Sequence, residues 1–125
     1  MSETKTILWE KEATEKDIKA ADEYLHLRFS KSDADLAAEK FKKHKDRLEN
    51  FKAKDILRAS GLELLPTTDE EVAEKLKRIK AGERLNPVLL VRDKHKLYVA
   101  DGYHRVCASY HIEEASDVAC ILVHV

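Results

Sequence analysis

Apolar positions change their spacing along the chain, from intervals of three and four in the first half to unbroken runs in the second. After Thr14, a candidate N-cap with Asp17 three residues on, Ile18, Ala21 and Leu25 share one helical face, which predicts a helix to about Leu27. The segment FSKSDAD breaks that pattern, with Ser32 or Asp33 as the next expected cap. Ala37, Phe41, His44, Leu48 and Phe51 then recur at fours and threes, predicting a long second helix that ends or bends near Phe51. KAKDILRASG reads as a short helix through Ile56, Leu57 and Ala59, stopped by Gly61 in a left-handed cap. Upstream, Ile7, Leu8 and Trp9 form an apolar patch readable as a strand or as an anchoring segment.

Pro66 closes an extended piece, and Thr68 with Glu71 has the spacing of a capping box for a helix carrying Val72, Leu76 and Ile79 and ended by Gly82. VLLVR is a continuous apolar run of the kind a strand buried on both faces requires. DKHK turns it into a second strand, LYVA, and the two are expected to form a hairpin. A helix over about Tyr103–His111 and a last β-rich run, DVACILVHV, complete an α+β pattern. With 125 residues the expectation is one domain, 1–125, around a single core.

Charge changes this picture little. The 23 Lys and Arg against 24 Asp and Glu give no global field for a polyanionic partner, so binding chemistry must be local. The N-terminal stretch lacks the apolar core of a signal peptide and nothing approaches a membrane span, so a soluble, cytoplasmic protein is expected. Cys107 and Cys120 lack metal-ligand or redox spacing, and the six histidines show no HxxxH or HExxH, so no structural metal and no disulfide are assigned.

The informative stretch is LYVADGYHRVCASYHI. A strand, a tight Asp101-Gly102 turn and a helix start build an anion site, because the first helical amides lack intrahelical partners and the dipole adds positive potential. His104 and Arg105 stand in that first turn, where a cation costs roughly 0.3–1 kcal/mol. A phosphate chain offsets this cost: Arg105 grips two oxygens as a fork, His104 donates, and Asp101 holds Mg²⁺ or orients His104. The bland alternative pairs Arg105 with Asp101 or a nearby glutamate, lets His104 cap a carbonyl, and binds nothing.

DGYHRVCA resembles the G-x-x-R-x-x-A box of the ParB/sulfiredoxin superfamily through Gly102, Arg105 and Ala108. It is still more similar to the Asp-Gly-His-His-Arg signature of free serine kinase relatives through Asp101, Gly102, His104 and Arg105. The order of elements from about Leu62 to Val123 resembles that family too. The resemblance implies a small mixed sheet flanked by helices over 62–125, preceded by a helical extension over 1–61. It also implies a nucleoside di- or triphosphate, ATP, ADP or CTP with Mg²⁺, held by Gly102, Tyr103, His104 and Arg105, with Asp101 at the metal. A phosphotransferase would move a phosphoryl group to a small hydroxyl compound, with its base among Asp69, Glu70 and Glu71, or Glu63 farther back.

Departures narrow that expectation. Tyr103 stands where sulfiredoxins carry their catalytic cysteine, which removes sulfinic acid reduction, and Cys107 one turn on reads as a small core residue. Tyr103 also replaces the first histidine of the kinase-like signature, and Ile112-Glu113 replaces a Leu-Gly exit. No helix-turn-helix follows the last strand, so chromosome partitioning is not expected.

The second function class is a non-catalytic, nucleotide-responsive or DNA-associated accessory protein, and a third is a decayed site acting through protein contacts. The stretch Glu39–Lys54 carries Lys40, Lys42, Lys43, Lys45 and Arg47 for a nucleic-acid backbone, although Glu39, Asp46 and Glu49 interrupt it at helical pairing distances. His44 within that stripe reads as a boundary residue.

Overall fold

The computed structural model describes residues 6–125. In chain order the elements are β1 (Leu8–Trp9), α1 (Glu15–Arg28), α2 (Lys31–Lys43), β2 (Glu49–Lys52), α3 (Ala53–Ser60) and α4 (Glu70–Lys80). They continue with β3 (Arg84–Leu85), β4 (Val88–Arg92), β5 (Leu97–Asp101), α5 (Tyr103–Ile112) and β6 (Asp117–His124). The described residues thus form an α+β fold with five helices and a mixed four-stranded sheet, order β2-β6-β4-β5. None of these helices is long and apolar enough to cross a membrane.

The run VLLV becomes β4, a central strand parallel to β6 and antiparallel to β5. Its side chains alternate between two layers: Val88 and Leu90 join the core under α3, α4 and α5, while Leu89 and Val91 join the core under α1 and α2. Both faces are covered, so an unbroken apolar run is what this position demands. Phe41 is the largest fully buried side chain, in the α1–α2 layer, and its truncation to alanine is expected to cost about 3–5 kcal/mol. β1 and β3 form a separate two-residue parallel pair beside the main sheet.

Thr14 caps α1 as expected, its Oγ1 accepting from the Asp17 amide at 3.2 Å. The cap of α2 is Ser30, not Ser32 or Asp33: Ser30 Oγ accepts from the Asp33 amide, and helix begins at Lys31. The long second helix is also corrected, because α2 stops at Lys43 with the half-buried His44 as C-cap, and residues 49–52 pair antiparallel with β6. Leu48 and Phe51 are three apart, which imitated a helical stripe, yet they pack on opposite sides of the sheet. The expected helical extension over 1–61 therefore includes the edge strand β2 as well as β1.

The continuous basic helix dissolves with it. Lys45 and Arg47 fall in a turn after α2, and Lys40 donates to the His124 carbonyl at 2.6 Å, tying α2 to β6. In α4 the cap is Asp69 rather than Thr68, so the expected capping box does not form: Asp69 Oδ1 accepts from the amides of Glu71 and Val72, both at 3.0 Å.

Candidate functional site

The hairpin β4–β5 delivers Asp101 to the site, and its register shifts on the way. Leu90 pairs with Val99 but Leu89 pairs with Asp101, so Ala100 is an extra residue in β5 and Asp101 takes the place Ala100 would occupy. Bulges of this kind re-aim a side chain at the end of a strand. Gly102 follows at φ +110° and is the N-cap of α5. A Cβ here would lie 2.9 Å from Val88 Cγ2 and 3.0 Å from Arg105 Nη2, so glycine is required by both conformation and space.

Arg105 is only 7% exposed, and its guanidinium is spent on the protein. Nη2 donates to Asp101 Oδ2 at 2.6 Å, while Nη1 faces the Asn86 carbonyl at 2.6 Å, Asp17 Oδ2 at 3.2 Å and the Pro87 carbonyl at 3.3 Å. These are partners of the kind the alternative without a ligand expected for Arg105, and none of them is a phosphate fork. Arg105 ties α1, the β3–β4 connection and the β5–α5 turn together, with charge-assisted bonds that a ligand oxygen would have to displace. Burial pushes the Asp101 carboxyl above the usual carboxylate range; Arg105 opposes that rise and Asp17 adds to it.

His104 is the motif's other basic side chain, and it remains near solvent. Its Nδ1 is 3.3 Å from Glu71 Oε2 and its Nε2 3.9 Å from Asp69 Oδ1, so the first turns of α4 and α5 meet through it. Of the expected bases, Glu71 reaches His104, Asp69 is occupied as a cap, and Glu70 is exposed and outside the pocket lining. Glu63 contributes its carbonyl, which accepts from the Tyr103 hydroxyl. Tyr103, expected beside the nucleotide, places its hydroxyl on the loop before α4 and lies outside the pocket lining. His111 Nε2 donates to the Leu65 carbonyl at 2.7 Å, fastening the same loop at the far end of α5.

Around the turn lies a polar pocket of about 270 Å³. Its walls include three cations that sequence reading did not single out, Lys16 of α1 and Lys75 and Arg78 of α4, together with Asn86 and Glu71. The helical spacing of Lys75 and Arg78 put them on one face, but only the fold shows that this face turns toward Gly102. Lys75 Nζ is 2.7 Å from Glu74 Oε2, and Arg78 lies 3.9 Å from Glu74 and 3.5 Å from Glu83. These carboxylates are half exposed, and such surface pairs contribute only about 0–1 kcal/mol, so they yield readily to a stronger anion. No side chain caps the N-terminus of α5, and its first turn contains no acidic residue.

A protein-held Mg²⁺ does not fit this donor set, because Asp101 Oδ2 is bound by Arg105 and the pocket already carries Lys16, Lys75 and Arg78. Cys107 is fully buried, and burial raises its thiol above the ordinary value; Cys120, also buried, is pushed up to about 12. Both are free thiols of the core, as expected for Cys107 from its spacing. No family model, curated protein or solved structure matches the chain.

Proposed function

We propose that the protein binds the phosphates of a nucleoside di- or triphosphate in the pocket above Gly102, and that it acts as a phosphotransferase toward a small hydroxyl compound. The observation that carries this reading is the convergence of Lys16, Lys75 and Arg78 on an uncapped helix N-terminus, with His104 at the same opening. Positively charged donors held around one cavity are what phosphate oxygens require. In this account the roles shift from Arg105 to its surroundings. Arg105 and Asp101 fix the turn, the lysines and Arg78 carry the phosphate charge, and the ligand brings its own Mg²⁺.

His104 and Glu71 are the pair we assign to proton transfer, since a carboxylate 3.3 Å from Nδ1 stabilises the imidazolium formed when the other nitrogen takes a hydroxyl proton. The attacking hydroxyl oxygen would then bond to the terminal phosphorus as the bridging P–O bond breaks, leaving the nucleotide one phosphate shorter. The similarity of Asp101, Gly102, His104 and Arg105 to the Asp-Gly-His-His-Arg signature of free serine kinase relatives supports the same ligand class. Equilibrium binding of ATP, ADP and CTP, with and without Mg²⁺, tests the binding half: no affinity for any of the three rejects it. Product analysis with candidate hydroxyl acceptors tests the transfer half, and nucleotide binding without transfer leaves a non-catalytic module.

A further inference from the structure

A second cavity, of about 360 Å³, opens at the other end of the β4–β5 hairpin from Asp101. Its apolar lining comes from three neighbouring strands and a helix: Leu90 lies beside Leu122 in the β4–β6 register, Leu97 is on β5, and Phe51 on β2 and Ile56 on α3 close the sides. Phe51, Leu97 and Leu122 stay only partly buried, because α3, eight residues long, is the short cover on this part of the sheet. The size is that of a small-molecule site, where apolar walls bind the body of a ligand and a few polar groups fix its orientation.

The polar rim is cationic. Asp93 belongs to the lining but is consumed by its own turn, accepting from the amides of His95 and Lys96 at 2.8 Å and from the Tyr98 hydroxyl at 3.1 Å. Asp55 lies 3.9 Å from Arg58. Lys96 places its ammonium over the Tyr98 ring, 5.5 Å from the centroid. Arg92 and Lys94 make no ion pair among the described residues, and both line the cavity.

We propose that this cleft is a binding site for a free apolar monocarboxylate, such as a medium-chain or aryl-substituted acid. Its hydrocarbon body lies on Phe51, Ile56, Leu97 and Leu122, and its carboxylate meets Arg92 and Lys94. The apolar walls alone would accept any amphiphile of this size; the unpaired cations select the anion, by a factor on the order of tenfold to a hundredfold for a charge-assisted hydrogen bond. The proposal is independent of the phosphate pocket, which shares no lining residue with this cleft.

Titration calorimetry of the full chain with octanoate, octan-1-ol and octylammonium tests it. Saturable one-to-one binding of octanoate, at least tenfold tighter than either other compound, is expected. Lys94→Glu, in the exposed hairpin turn, should weaken octanoate at least tenfold with the thermal midpoint unchanged, and Arg92→Gln should weaken it similarly. A Lys16→Ala/Lys75→Ala variant should bind octanoate as wild type does. Absence of octanoate binding, equal affinity for octan-1-ol, indifference to both rim variants, or loss of octanoate in the Lys16/Lys75 variant would each overturn the assignment.

Discussion

The Arg105 guanidinium and the Asp101 carboxylate are joined across the first turn of α5 by a 2.6 Å hydrogen bond, at a point where Arg105 is almost wholly removed from solvent. A cation at a helix N-terminus is thus held by two carboxylates, Asp101 and Asp17, and two carbonyls, which outweigh the unfavourable dipole. Removing one partner of such a buried pair leaves an uncompensated charge. Arg105→Ala is accordingly expected to lower unfolding free energy by about 3–5 kcal/mol in urea titration. Arg105→Lys should recover only part of that loss, because an ammonium cannot reach the same acceptors as a planar fork. A loss of less than about 1 kcal/mol for Arg105→Ala would assign the guanidinium to a ligand instead of the fold.

Gly102→Ala places a Cβ against Val88 and Arg105 at a left-handed φ. Destabilisation of at least about 1–3 kcal/mol is expected from the backbone strain alone. Thermal unfolding followed by circular dichroism measures it, and a midpoint unchanged from wild type would show that the turn has another conformation.

Tyr103→Phe removes only the hydroxyl that holds the Glu63 carbonyl. About 1 kcal/mol of stability should go, the worth of an ordinary hydrogen bond, while ATP affinity should stay within twofold of wild type. A tenfold loss of nucleotide affinity with unchanged stability would instead return Tyr103 to the ligand.

Between α1 and α2, His26 sits in contact with Asp22 and Asp35, with Lys31 on Asp35 from the second helix. The Asp22 carbonyl accepting from Nδ1 raises the His26 value most, and the two carboxylates raise it further. A group raised on folding stabilises the fold fully below its unfolded value and loses that contribution as pH rises through the folded value. Proton NMR of the imidazole should therefore show His26 titrating above 6.5, and stability should decline slightly as pH rises through that titration. Asp22→Asn/Asp35→Asn should bring the titration back toward the ordinary value; a wild-type midpoint at or below 6.5 would contradict the contact.

Much of the architecture was written in local patterns. Thr14, Gly61 and the VLLVR run each carry a signal that depends on nearby residues alone, and the structure uses each as expected. What local patterns could not express is pairing across distance. Glu49–Lys52 becomes a strand because β6 offers it a partner from the far end of the chain, with Phe51 opposite Val118 and Lys52 opposite Asp117. The site failed in the same manner: DGYHR was visible as a turn with two cations, but the acceptors that take Arg105 come from Asp17, Asn86 and Pro87. Lys16, Lys75 and Arg78 carried no motif, and only the packing of α1 and α4 beside Gly102 turns them into the walls of a pocket.

The central claim is that these three cations, and not Arg105, receive phosphate. Calorimetric titration of ATP into wild type and a Lys16→Ala/Lys75→Ala/Arg78→Ala variant at low and high salt tests it most directly. Wild type should bind ATP saturably and much more weakly as salt rises, and the variant should lose at least about a hundredfold in affinity with its fold intact. No binding by wild type, or undiminished binding by the variant, would contradict it.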